Sequence, residues 1–181
     1  MTLATTVLLG IIYPLVVTGL AQVLFPQKAN GQLIEVNGRL VGSKIIAQGF
    51  SGAVYFHPRP SAAGSGYQAD NSNGTQLGPT NHQLIDRVKA DAAALQSENL
   101  NTPVPIDLVT TSASGLDPDI TPAAAAFQVP RVAKARGISE DELRAVVAQH
   151  TQGREFGFLG EARVNVLTLN LDLDRRFPKK P

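Results

Sequence analysis

The chain has no cysteine and no tryptophan among its 181 residues, and no charged side chain before Lys28. Without cysteine there is no disulfide, no thiolate nucleophile and no Cys-based metal site, and the redox compartment stays open. A net charge of +1 lacks the excess of either sign that nucleic acid or an anionic lipid surface would select. No G-x-x-x-x-G-K-S/T stretch occurs, so the chain carries no P-loop of its own. His57, His82 and His150 form neither H-E-x-x-H nor another metal spacing, and read as surface or satisfied polar groups. Gly64-Ser65-Gly66 is not a nucleophile elbow, which needs Ser centred between two spaced glycines. Asp70 to Gly74 approaches a calcium loop, but its glycine falls one place early and Asn81 stands where the closing Glu belongs.

What is present begins with the apolar run Leu3 to Phe25. A bilayer core is about 30 Å thick and a helix rises about 1.5 Å per residue, so about 20 apolar residues cross it. Pro14 breaks a helix in water, whereas in lipid a kinked helix still satisfies more backbone than a loop. Gly10, Pro14 and Gly19 are candidate contact points for a partner helix. The alternative is a signal peptide cleaved after Gly19-Leu20-Ala21, releasing a secreted soluble enzyme or binding protein that starts near Gln22. The run lacks the preceding basic region, and it exceeds the roughly 7–15 residues of a signal core. A retained span is therefore the reading taken, with an anchor over 1–27, a soluble α+β domain over 28–174 and a basic tail over 175–181. The fold class expected is α+β: one N-terminal transmembrane helix followed by one compact mixed domain of about 150 residues, long enough for a real core.

Within that domain, Leu33 to Val41 reads as a hairpin turning on Asn37-Gly38, which supplies the two positive φ angles of a type I′ turn. Ile45 to Gln48 reads as a further short strand. Phe50 to Asn81 is rich in Gly and Pro, and its length marks it as a contact loop. Leu84, Val88, Ala92 and Leu95 recur at helical spacing over His82 to Glu98. Val104 to Val109 reads as a strand with Pro105 at its start. Thr121-Pro122 opens a helix to Arg136, with a kink or break at Pro130 and Gly137 closing it. Ser139 and Glu142 form a capping box for a helix to about His150. Asn165 to Leu173 alternates leucine with polar residues and reads as a half-buried strand. The loops Tyr55 to Asn81 and Thr110 to Asp119 are candidate contact surfaces, Arg59 and Arg131 candidate anion contacts, and Asp70, Asp117 and Asp119 candidate cation attractors.

Five stretches resemble the C subunit of the Kdp high-affinity potassium-transporting ATPase. They are YPLVVTGLAQVLFPQKANG (Tyr13 to Gly31), YFHPRPSAAG (Tyr55 to Gly64), LGPTN (Leu77 to Asn81), DLVTTSASGLDPDITPAAAAFQVPRVAKARG (Asp107 to Gly137) and LGEARVNVLTLNLDLD (Leu159 to Asp174). The order is kept and nearly the whole chain is covered. Departures are a shortened N-terminus, Ser72 to Gln76 in place of a glycine-serine stretch, and Ala162 where proline is usual. The resemblance implies a non-catalytic, single-span subunit at the plasma membrane. Its partners would be a channel-like A subunit, a P-type ATPase B subunit and a small F subunit, and its own domain would be extracytoplasmic. It also implies a role in assembly, and as a catalytic chaperone that raises the ATP affinity of the B subunit. No cofactor of its own is expected. If ATP is touched at all, the long Asp107 to Gly137 motif offers Ser112, Ser114, Gly115, Gln128 and Arg131 as nucleotide contacts. No catalytic or metal residue is expected.

Overall fold

The computed structural model describes residues 1–178; Lys179, Lys180 and Pro181, the end of the expected basic tail, lie outside the described residues. The chain divides into two compact units, Met1–Ile45 and the remainder from Ile46.

The first unit opens with α1 (Thr2–Leu24), a helix of 23 residues with mean hydropathy 2.2 and none of its surface buried, long and apolar enough to cross a bilayer. Pro14 does not break it. Residues Leu8–Ile12 widen into a π-helical turn in which the amide of Tyr13 donates to the carbonyl of Leu8. The wider turn makes room for the proline ring, which would otherwise press on the carbonyl four residues back. A single turn, α2 (Pro26–Ala29), follows, and the Gln22 and Asn30 side-chain amides bond to each other across it. The strands β1 (Leu33–Val36) and β2 (Arg39–Ser43) then pair antiparallel with a bulge between Ile34 and Glu35. Asn37 and Gly38 make the turn at φ +52° and +73°, which Asn tolerates and Gly, lacking a Cβ, adopts freely.

The second unit holds three main helices, a small sheet and a last helix. The main helices are α3 (His82–Glu98), α4 (Pro122–Arg136) and α5 (Glu140–His150). Asn81 caps α3 through the amide of Gln83, Thr121 caps α4 through that of Ala124, and Ser139 and Glu142 complete the capping box of α5. Pro130 lies inside α4 without ending it, and Gly137 closes the helix at φ +68°. A three-stranded antiparallel sheet, ordered β3-β5-β4, is built from β3 (Asp119–Ile120), β4 (Thr151–Gln152) and β5 (Arg163–Asn165). A last helix, α6 (Val166–Arg176), leaves the end of β5. One core joins these elements, with Phe56, Phe127, Val129, Val132, Leu143, Val164, Leu169 and Leu173 among its buried members. The apolar face of α3 is only half buried, and Leu95 packs on the core edge. The class is mixed α and β, as expected.

Three expected strands are corrected. Asn165 to Leu173 is helix, not strand. Over so short a run its leucines fit period two, but the buried residues Val166, Leu167, Leu169, Asn170, Asp172 and Leu173 include both odd and even positions, as one face of a helix does and one face of a strand does not. Asn165 caps the helix by accepting from the amide of Thr168, and Arg175 and Arg176 sit in its last turn where cations favour a helix dipole. Val104 to Val109 holds only a 3₁₀ turn, Ile106–Leu108. Pro103 and Pro105 remove two alternate backbone donors, so no ladder forms there. Ile45 to Gln48 is a turn running into extended chain.

Candidate functional site

The segment Ala53 to Arg59 has no sheet to pair with, and two side-chain amides take the place of a neighbouring strand. Asn170, on α6 and 1% exposed, accepts from the Phe56 amide and donates to the Phe56 carbonyl, both at 2.9 Å. Gln128, on α4, does the same for His57, at 2.8 Å and 3.1 Å. Adjacent residues of one segment are thus held by carboxamides from two helices, with Phe56 driven fully into the core.

Two arginines finish the clamp. Arg131 donates to the carbonyls of Ala53 and Tyr55, both at 3.0 Å, and to the Gln128 side chain at 2.7 Å, and pairs with Glu98 at 3.1 Å. Burial holds the Arg131 guanidinium below its ordinary pKa, and Glu98 works against that shift. Arg136, its side chain 1% exposed, donates to the carbonyls of Val54 and Phe177 and pairs with Asp174 at 2.8 Å. Its guanidinium lies 5.3 Å from the centre of the Tyr55 ring, whose hydroxyl donates to the same Asp174. A separate cluster ties the end of α5 to α6, where buried Asp172 receives His150, Arg175 and Arg176. Burial works to raise the Asp172 pKa, but the three donors outweigh it and hold the carboxyl below its ordinary value.

The second feature is a zip between residues 61–76 and 110–117. The Ser61 hydroxyl donates to the Gly115 carbonyl at 2.6 Å, and the Ser72 hydroxyl and Asn73 amide donate to the Ser114 carbonyl at 2.9 Å and 3.0 Å. The hydroxyl oxygens of Ser112 and Ser114 accept from the amides of Asp117 and Leu116 within their own loop. Arg59 closes one end, pairing with Asp117 at 3.1 Å and donating to Thr110 and Thr111.

The five residues singled out in the sequence therefore fall into two groups. Ser112, Ser114 and Gly115 belong to the zip, and Ser112 lines a shallow groove with Asn73, Gly74 and Thr111. Gln128 and Arg131 belong to the clamp, and Gln128 lines a different depression with His57, Tyr67 and Leu95. The anion candidates Arg59 and Arg131 both already hold carboxylates and carbonyls of their own unit. Among the described residues no three His, Asp or Glu side chains converge as a metal ion would require. Asn170, Arg136 and Asp174 were missed by sequence reasoning. Asn170 carried a signal, a lone amide inside the leucine run 167–173, but the strand reading turned it toward solvent.

The clamp is made almost wholly from residues of the shared motifs: Tyr55 to Gly64 receives it, while Asp107 to Gly137 and Leu159 to Asp174 supply it. A family model described as "K+-transporting ATPase, c chain" matches residues 1–175. The chain belongs to this family, KdpC. A Potassium-transporting ATPase KdpC subunit of Koribacter versatilis is 65% identical over 178 residues, covering 98% of this chain and 92% of the relative. The subunit of the same name from Acidobacterium capsulatum is 59% identical over 174 residues, covering 96% and 94%, and that of Rhodospirillum rubrum 56% identical over 177 residues, covering 97% and 92%. The chain is thus a KdpC-type subunit of a potassium-transporting ATPase.

The clamp makes one titration visible. The Nε2–H of His57 donates to the Gly52 carbonyl at 3.0 Å, the carbonyl being able only to accept. Burial first, then the Arg131 charge, push its pKa below the ordinary value. The unfolded chain then binds the proton more readily than the folded one, so stability is complete above about pH 6.5 and falls as pH drops through the folded pKa. Melting temperature measured from pH 7.5 to 5 should fall more in the parent than in His57→Gln, and equal slopes would show that His57 is not held neutral.

Proposed function

We propose that this chain is the non-catalytic accessory subunit of an ATP-driven potassium uptake complex, anchored by α1 and needed for assembly. The observation that carries this reading is the family match over residues 1–175, which takes in the apolar helix as well as the unit behind it. Its partners in this reading are a channel-like A subunit, a P-type ATPase B subunit and a small F subunit. The unit from Ile46 lies on the extracytoplasmic side, where the loops 55–81 and 110–119 supply contact surface.

The proposed rise in ATP affinity of the ATPase subunit then travels as a coupling free energy between chains. ATP is cytoplasmic and the unit lies across the membrane, so direct contact would need the opposite orientation. The indirect route is favoured because Gln128 and Arg131 already bond within the unit, and the hydroxyl oxygens of Ser112 and Ser114 already accept from their own loop. Coupling of this kind is typically worth about 5- to 150-fold in affinity.

The test is a mild-detergent pull-down of the C-terminally tagged full chain, with partners identified by mass spectrometry and the eluate assayed for potassium-stimulated ATP hydrolysis. Recovery of a channel-like chain and a P-type ATPase is expected, with activity lost when Leu3 to Phe25 is exchanged for an unrelated span. In complexes depleted of this chain, the ATP concentration for half-maximal activity should rise by about 5- to 150-fold. A lone soluble chain beginning near Gln22 would overturn the reading.

A further inference from the structure

The hairpin loop 153–162 between β4 and β5 presents Phe156 at 86% exposure and Phe158 at 71%, with Leu159 beside them at 49%. The tip is built rather than slack. Glu155 and Leu159 exchange two main-chain hydrogen bonds, both 2.9 Å, and the Phe158 amide donates to the Glu155 carbonyl at 3.2 Å. Phe156 and Gly157 both carry positive φ, +53° and +81°. At the first of these positions a backbone prefers Asn, and a bulky side chain there is an outlier. The base is stapled by Arg163 to Glu155 at 3.1 Å and to Asp119 at 3.4 Å, and by Arg154 to Glu161 at 3.8 Å. The aromatic ring thus sits against the preference of the backbone and against that of water, the pattern of a site kept for a use outside the fold.

We propose that this tip is a docking anchor that inserts Phe156 and Phe158 into an apolar pocket on another protein chain of the same ATPase. The inference rests on the accessory-subunit reading above. The collar decides between a protein and a bilayer. Its charges are Arg154 and Arg163 paired with Glu155, Glu161 and Asp119, so neither cation is left unpaired, and the loop 153–162 holds no lysine. A lipid surface is served by unpaired Lys and Arg, and acidic groups at the water line oppose it. Aromatic anchors inside a polar, ion-paired rim are instead the anatomy of a protein interface, and a preformed tip gives up little freedom on docking.

The test places photoreactive p-benzoylphenylalanine at position 156, and separately at 158, in the tagged full chain co-expressed with the other chains of its pump. After purification and irradiation, adducts are mapped by mass spectrometry. Adducts on another chain of the pump are expected; adducts only on lipid, adducts only on a second copy of this chain, or none, overturn the inference. Two substitutions add a quantitative arm. Phe156→Asn suits the turn and should leave the melting temperature unchanged, while Phe156→Asn with Phe158→Ser lowers co-purification of the other chains by about tenfold. Unchanged co-purification, or a loss explained by a matching fall in melting temperature, also overturns it. Co-purification with the unsubstituted chain is scored first. Its failure removes the subunit reading and this inference with it, whereas its success with no adduct on another chain of the pump removes this inference alone.

Discussion

Asn170→Leu should lower the unfolding free energy of the unit from Ile46 by about 2–5 kcal/mol, because it orphans two buried main-chain groups at once and each costs about 1–3 kcal/mol. The leucine is close to asparagine in volume and would pack among Phe56, Leu169 and Leu173, so neither a cavity nor a clash competes with that explanation. What is lost is the pair of 2.9 Å bonds to the Phe56 amide and carbonyl, in a place where water does not reach. Against a total of about 5–15 kcal/mol this is a large fraction, and it corresponds to a fall in melting temperature of about 5–15 °C for a chain this size. Circular dichroism of the full chain in mild detergent reads it directly. Gln128→Leu should behave alike, since it strips the same two bonds from His57. The double variant should cost less than the two single costs together, because Phe56 and His57 are neighbours and the segment leaves its place once either clamp is gone. A melt of Asn170→Leu within about 2 °C of the parent would show that the segment is held by its apolar contacts alone.

That clamp also marks where the sequence stopped being legible. The hairpin at Asn37-Gly38 and the helices His82 to Glu98, Pro122 to Arg136 and Glu140 to His150 were readable because their ends are written locally, in caps, turn residues and a single apolar period. The strands β3, β4 and β5 were not, since two or three residues carry no period and their pairing is decided by partners far along the chain. Residues 165–173 were read in the wrong period because alternate leucines over 167–173 fit a strand as well as they fit about two turns of helix. The same error hid Asn170, whose partner Phe56 lies 114 residues earlier. Gln128 and Arg131 were noticed for their chemistry, yet their chemistry is turned inward, onto the backbone of residues 53–57. An amide that replaces a strand leaves no local spacing to find. It is visible only once the helix carrying it has been placed against the segment it holds.

Gly115→Ala should cost about 2–5 kcal/mol, because a conformational penalty coincides there with a clash against backbone, whereas at Gly64, which also has positive φ (+55°), the atoms met belong to the Gln68 side chain. The first penalty at Gly115 is conformational. Gly115 stands at φ +69°, and an L-residue in that region pays about 1–2 kcal/mol. The second is steric. A methyl carbon on Gly115 would lie 2.6 Å from the Asn73 carbonyl oxygen, 2.7 Å from the Ala63 nitrogen and 2.9 Å from the Ala63 side chain. Two of these contacts are backbone, so no side chain can swing away, and forced overpacking costs about 1–3 kcal/mol. Gly137 isolates the first penalty, since it has φ +68° with nothing within 4 Å of the added carbon. Gly74 isolates the second, with no unusual φ but a contact of 2.7 Å to the Ala113 carbonyl oxygen. Thermal melts of the three alanine variants should therefore rank Gly115→Ala well below both others. Its loss should approach the two others taken together. The structural consequence is specific, because residues 61–76 and 110–117 close on one another through the Ser61 bond to the Gly115 carbonyl and the Asn73 bond to the Ser114 carbonyl. A methyl between them pries open the surface that carries Ser112, Ser114 and Arg59, and limited proteolysis should find new cleavage within residues 61–76. If Gly115→Ala melts with Gly137→Ala, the two loops do not touch in solution as closely as 2.6 Å implies, and the zip is not what orders that face.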